Sequence, residues 1–302
     1  MTEGAPGAMP LDRTLGVIEQ LGMTLLTMTE FEAGKANPQL LIAQQEAEQL
    51  PQPVSRWVAS LTGKSEALVA TGASSALGEQ AREAVGPDCA EFIRGRYPFD
   101  PSSQAEIPLQ NFGELFGSGG RFDTLYKQSL EKLLDTGGSR WRWRSGPGAV
   151  AGPPGLPAQM QAAHRIKQNY FRDGNMPDVR FTLSVRQFGP DVVRVVVDVD
   201  GQEAQFRPGR DVSVPMRWPG PTPGRASLVA YDATGTPIER VSHSGEWALF
   251  RMLHAGGLQR EADLRHVARF SAGGGTVEIA LQAASLRHPF LDTGVQRFRC
   301  VG

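Results

Sequence analysis

The chain has 302 residues, 40% hydrophobic and 21% charged, the composition of a soluble globular protein with two domains or one large one. Residues 1–174 hold 16 Lys and Arg against 19 Asp and Glu, and residues 175–302 hold 15 against 13, so neither half carries the basic field that nucleic-acid binding relies on. No run approaches the roughly 18–20 apolar residues of a membrane span, the first thirty residues lack a signal-peptide pattern, and two cysteines rule out a disulfide-stapled scaffold or a Cys-rich metal site.

The first half reads as helical. Leu11, Leu15, Ile18, Leu21, Leu25 and Met28 recur at helical spacing, with Gly34 placed to end the helix. Leu40 to Leu50 predicts a second helix, ending before Pro51. Pro53 opens a third, carrying Val54, Trp57, Val58 and Leu61, and a longer one is expected from about Ser75 to Ile93. Residues 96–108, "RYPFDPSSQAEIP", form a Pro-rich loop. Phe112, Leu115 and Phe116 mark a short helix, and another follows "GSGG" through Phe122, Leu125, Leu130 and Leu133. After the Gly/Pro tract at 144–157, a last amphipathic helix carries Met160, Ala163, Ile166 and Tyr170 and ends at "RDGN" (172–175).

From Pro177 the period changes from about 3.6 to 2. "VRFTLSV" (179–185), "VVRVVVDV" (192–199) and "EAQFR" (203–207) are followed by "DVSVPM", "RASLVAYD", "PIERVSH", "LRHVARF", "TVEIALQAAS" and "QRFRC". The expectation is a segregated α+β chain: an α-helical domain over 1–174 and, over 175–302, an antiparallel β-sandwich of about nine short strands. "GEWALFRML" (245–253) interrupts the strand pattern as a short inserted helix. Ser244 or Gly245 would cap it, and Trp247, Phe250 and Leu253 or His254 would be buried. Arg251 would reach solvent, a carboxylate or free carbonyls.

Several stretches resemble sites and read better as scaffold. "GSGGRFD" (117–123) precedes a helix, but no strand leads into it and Walker spacing is absent, so it is a loop and cap. "DVDGQE" (198–203) lacks the third oxygen position and distal glutamate of a calcium loop, and Asp200-Gly201 is a two-residue hairpin signal. "GASSA" (72–76) approaches a nucleophile elbow but lies among predicted helices, where Ser74 or Ser75 would be an N-cap. The five histidines (164, 243, 254, 266, 288) are scattered and each reads as a surface or partly buried residue. "WRWR" (141–144) reads as a short strand packing two tryptophans on one face rather than a single-strand binder. Catalytic, metal and cofactor residues are therefore assigned to none.

Six blocks in order and register carry a resemblance. "RYPFDPSSQAEIPLQNFGELFGSGGRFDTLY" (96–126), "WRWR", "QAAHRIKQNYF" (161–171), "MRWPGPTPG" (216–224), "GEWALFRML" and the terminal "HPF…FRC" (288–300) resemble the C-terminal region of the TssM (IcmF) family of type VI secretion systems. The resemblance implies a non-enzymatic periplasmic segment of an inner-membrane protein. It would dock the outer-membrane lipoprotein TssJ, mainly through the β-domain, in a complex that also holds other TssM copies and inner-membrane TssL. No cofactor, nucleic acid or small-molecule substrate is implied. Trp218, Pro219, Trp247, Phe250, Arg251, Phe290, Phe298 and Arg299 are its structural signature in this chain, and the exposed-loop candidates for partner binding are Arg225, Tyr231 and Arg240. A carbohydrate-binding or adhesive sandwich is the alternative and would show Trp218 and Trp247 exposed on a common face. An envelope hydrolase would need converging carboxylates or a Ser-His pair.

Overall fold

The computed structural model describes residues 45, 54–146, 149–292 and 294–300; the helices expected over 11–28 and 40–50 lie outside them, Gln45 apart. The chain divides into two compact units, Met1–Ala81 with Ser129–Ala158, and Arg82–Gln128 with Gln159–Gly302. Among the described residues no helix is long and apolar enough to cross a membrane.

Helix α1 (Val54–Phe92) is one 39-residue element rather than two. Ala73, Leu77, Ala81, Val85 and Cys89 recur every fourth residue and are all buried, so the helix continues through the expected break. Ser74 and Ser75 therefore sit inside a helix and cap nothing.

The first unit also holds a two-residue ribbon, β1 (Leu134–Asp135) with β2 (Arg142–Trp143). Trp141 and Trp143 are half-buried while Arg142 and Arg144 are exposed, and the Trp143 indole N–H donates to the Pro153 carbonyl at 3.3 Å. "WRWR" thus packs its rings to one side, as expected.

In the second unit, α2 (Leu109–Phe116) buries Leu109, Phe112, Leu115 and Phe116. Gly113 lies so close to the Asn175 carbonyl that a Cβ there would collide with it. Helix α3 (Arg121–Leu125) passes into a π-helical turn at Tyr126–Leu130, shorter than the periodicity suggested. The Asp123 carboxylate accepts from the Gly119 N–H, Lys127 and Lys167. Burial alone would raise its pKa, but Lys167, the Gly119 N–H and Lys127 outweigh that and bring it down to about 2. The "GSGG" turn is closed by the chain's own carboxylate, the cap reading. Helix α4 (Leu156–Tyr170) runs from the first unit into the second, and the first sandwich strand begins nine residues after it.

The sandwich is antiparallel throughout. One sheet has the order β6-β3-β11-β10-β9, formed by β3 (Val179–Gln187), β6 (Ser213–Trp218), β9 (Gln259–Arg260), β10 (Arg265–Ala272) and β11 (Gly275–Ala283). The other has the order β5-β4-β7-β8, formed by β4 (Arg194–Val199), β5 (Gln202–Phe206), β7 (Arg225–Tyr231) and β8 (Pro237–Ser244). Eight of these coincide with expected strands. "QRFRC" is not a strand: Gly294–Arg297 forms a helical turn, α6, and Cys300 is bonded to Cys89, 211 positions earlier in the chain. A terminal segment tethered to α1 is held at that point and joins neither sheet.

The hairpin between β4 and β5 has the expected geometry, with φ of 52° at Asp200 and 81° at Gly201. Asp200 does more than turn the chain. Only 1% exposed, it accepts N–H bonds from Gly220, Gly224 and Arg225, and so organises the whole "PGPTPG" loop. Burial pushes its carboxyl above the usual range, against the pull of those three donors. Beside it the Gln202 amide caps an edge strand: its Nε2 donates to the Arg217 carbonyl at 2.6 Å and its Oε1 accepts the Arg217 N–H at 3.0 Å. Pro215, in the same strand, lacks an N–H altogether. Edge β6 therefore offers little backbone for another strand to pair with.

Candidate assembly interface

The short helix expected in "GEWALFRML" is α5 (Ala248–Ala255), packed on β7 and β8. Its N-cap is Trp247, and neither Ser244 nor Gly245 caps it. More of it is buried than one stripe: Trp247, Ala248, Leu249, Phe250, Met252 and Leu253 are all inside, while His254 is exposed. The additional faces are covered because Tyr97, Phe112 and Tyr170 also pack on Trp247 and Phe250. Periodicity within the helix cannot report such a second layer.

The rings form one continuous core. Trp218 lies 4.7 Å from Phe250 and 5.0 Å from Trp247, and Phe112 lies 5.1 Å from both Trp247 and Tyr170, centroid to centroid. Phe298 extends it at 5.2 Å from Phe116, and Phe290 stands 5.4 Å from Phe181. Trp218 and Trp247 are 0% exposed and their N–H groups are engaged, Trp218 with the Glu246 carbonyl at 3.2 Å and Trp247 with that of Ile107 at 2.8 Å. Rings of this size each remove roughly 150–250 Å² from water. Pro219, after a cis Trp218-Pro219 bond, opens the loop that Asp200 holds. Arg299 is exposed and its guanidinium donates to the carbonyls of Gln296 and Phe298.

Arg251 closes this core on its polar side. Its Nε donates to Glu106 Oε1 at 2.6 Å, with the two side chains 14% and 16% exposed, and one Nη donates to the carbonyls of Ser103 and Gln104. The guanidinium carbon lies 4.1 Å from the Tyr97 ring centroid. The other Glu106 oxygen accepts the Trp247 N–H, and Gly245, at φ 103°, leaves no room for a side chain against that carboxylate. Reciprocally, Glu246 accepts the Leu109 N–H at 2.8 Å. Tyr97 shares a hydrogen bond of 2.9 Å with His254. Burial raises the phenol pKa, against the pull of Arg251, and desolvation of the imidazole where it meets Tyr97, together with the charge of Arg251, lowers that of the otherwise exposed His254. Neither Glu106 nor Glu246 is among the residues the sequence marks, and Asp200 is marked there only as a hairpin residue. The one signal for Glu106 is a lone acid between Ala105 and Ile107 in a segment bounded by prolines.

The three partner-binding candidates fall on one face. Val195, Val197 and Val199 of β4 and Ala226, Leu228 and Ala230 of β7 point into the sandwich, which turns Arg225 and Tyr231 outward. Arg240 pairs with Val229 and shares that outer face. Arg194, opposite Tyr231, places its guanidinium 4.0 Å from the Tyr231 ring centroid, and Arg225 stands 3.6 Å from Asp198. The face is a mixed apolar and arginine-rich patch.

Among the described residues no three or more His, Cys, Asp or Glu side chains are placed to hold a metal. A cavity of about 480 Å³ beside the disulfide is lined by Arg94, Phe99, Asp100, Phe298 and Arg299, with no second carboxylate and no nucleophile–base pair. The histidines are less scattered than the spacing suggested. His266, 1% exposed, stands 4.9 Å from His288 across their ring centroids, because β10 and the segment after β11 run side by side.

Helices followed by two antiparallel sheets, packed with a buried aromatic plug, define an α+β protein built on a β-sandwich. Residues 181–285 match the model of the type VI secretion protein IcmF C2-like domain. The chain is 31% identical over 210 residues to type VI secretion system component TssM1 of Pseudomonas aeruginosa strain PAO1, an alignment covering 68% of this chain and 19% of that protein. In fold it is similar to the TssM C-terminal domain from EAEC (TM-score 0.63, 19% identity, 76% of this chain and 97% of that one). It is similar also to a chain of a type VI secretion system membrane core complex (TM-score 0.69, 20% identity, 92% and 59%). The chain belongs to the TssM (IcmF) family, of which it carries the C-terminal region, and spans about a fifth of the length of its curated relative.

Proposed function

We propose that this chain is the periplasmic C-terminal segment of a subunit of the type VI secretion trans-envelope membrane complex and works without catalysis. In this reading it docks the outer-membrane lipoprotein TssJ, mainly through a β-domain at 175–302, with the helical domain at 1–174 as spacer or second contact surface. Further copies of the subunit and inner-membrane TssL complete the assembly. Such an interface buries on the order of 1,200–2,000 Å², with a few aromatic or arginine anchors near its centre. The outer face bearing Arg225, Tyr231 and Arg240 supplies residues of that kind.

The observation that carries the reading is the complete burial of Trp218 and Trp247 with both indole N–H groups engaged. A sugar-binding sandwich needs such rings on a surface, and these lie in the core. The test is calorimetric titration of the whole chain with soluble TssJ of the same cell. Saturable binding that weakens in Tyr231→Ala and Arg240→Glu supports docking through the β-domain. No binding by the intact chain would overturn the docking reading.

A further inference from the structure

Two loops meet beside the five-stranded sheet. Residues 171–178 leave α4 and residues 284–292 leave β11. The second loop is tied to the elements flanking the first by the Ala284 N–H on the Arg180 carbonyl of β3 and by Asn169 Nδ2 of α4 on Asp292 Oδ2 at 2.6 Å, while the Asp178 N–H on the Tyr170 carbonyl closes the first loop on itself. A cavity of about 180 Å³ between them is lined by Arg172, Arg180, Arg287 and His288, with Asp178 the one acid. Asp178 is already engaged, its two oxygens lying 2.9 and 3.1 Å from Arg180 and Arg217. Neither Arg172 nor Arg287 has an ion-pair partner among the described residues, so the cavity keeps a net positive rim.

The apolar surface points to the same place. Five large apolar side chains are exposed among the described residues, and Met176, Leu286 and Leu291 are on these two loops, Leu286 at 73%. Leu291 also has φ of 61°, at the third position of a turn closed by the Asp292 N–H on the Pro289 carbonyl. That position favours glycine or asparagine, and a leucine there is strained. Phe290 anchors the turn inside the core, 3% exposed, while Leu291 is directed to water. Basic side chains around a small hollow, flanked by projecting apolar residues, complement one kind of ligand.

We infer that the 171–178 and 284–292 loops form a docking surface for a protein segment carrying a carboxylate next to branched apolar side chains. The carboxylate enters between Arg172 and Arg287, and the apolar chains lie against Leu286, Leu291 and Met176. The inference rests on the docking reading above, because its probe is soluble TssJ.

The experiment titrates TssJ into the whole chain and into Leu286→Ser, Arg287→Glu and Leu291→Gly, at low and high salt. Leu286→Ser and Arg287→Glu are expected to weaken binding about tenfold or more, the effect of losing a central anchor. Salt should weaken the unaltered chain more than Arg287→Glu. Leu291→Gly relieves the backbone, so it should melt no lower than the parent yet bind more weakly, which a purely structural role would not produce. If the parent binds and all three variants bind within about twofold of it, this surface is wrong while docking stands. If the parent does not bind, both readings fall. A concentration-dependent dimer, or adhesion to phosphatidylglycerol vesicles, that Leu286→Ser abolishes while TssJ binding persists would assign the patch to a second copy or a membrane and overturn the inference.

Discussion

Removing Glu106 tests whether Arg251 is scaffold. Glu106→Ala leaves the guanidinium and the Trp247 N–H without their carboxylate, in a place where both charged side chains are about 15% exposed. Deleting one partner of a buried pair costs about 3–5 kcal/mol, and the residual exposure together with the Ser103 and Gln104 carbonyls brings the expectation to about 2–4 kcal/mol. For a unit of this size that corresponds to a fall of about 5–12 °C in melting temperature. Urea unfolding followed by tryptophan fluorescence reads the change, since Trp218 and Trp247 sit in the affected core. Arg251→Met should be similarly harmful, and the double variant should recover at least about 1 kcal/mol of the summed loss. Additive effects, or an Arg251→Met protein that keeps its stability and loses partner binding, would refute the scaffold assignment.

Three further outcomes are expected. Reduction, or Cys300→Ser, releases a closure spanning 211 residues, and a stability loss of about 2–5 kcal/mol should appear in melts with and without reductant. Gly113→Ala forces a methyl into the Asn175 carbonyl, which at about 1–3 kcal/mol should lower the melting temperature and loosen the 171–178 loop in hydrogen exchange. His266 titrates at about 4 in the folded state, lowered by burial first and then by His288 and Arg260. Its contribution is complete above the unfolded value near 6.5 and is lost as pH falls toward about 4. Unfolding free energies measured from pH 7.5 to 4 should decline over that window, and His266→Phe should flatten the decline.

Much of the architecture could be read in advance because it is written in local period. Alternation over 179–283 located eight strands, and Asp200-Gly201 announced its hairpin. What escaped depends on distant residues. The covalent tie to Cys89 keeps "QRFRC" out of either sheet, and four-residue burial spacing carries α1 past "GASSA". Glu106 and Arg251 are 145 positions apart in the chain, and no local pattern links them. Of the interface, composition offered arginines and a tyrosine, and strand register then placed Arg225, Tyr231 and Arg240 on one face. Leu286 and Leu291 were silent in the sequence, since an isolated leucine beside turn residues says nothing about its exposure.

The bond between Cys89 and Cys300 has a mechanical consequence. Tension entering the chain before residue 89 and leaving after residue 300 would cross one covalent link and bypass everything between. The sandwich, its loops and its outer faces would stay slack while their tether was stretched. A pull from before residue 89 against a grip on those surfaces would be shared between two covalent routes into the sandwich, the main chain after Cys89 and the sulfur–sulfur link to Cys300.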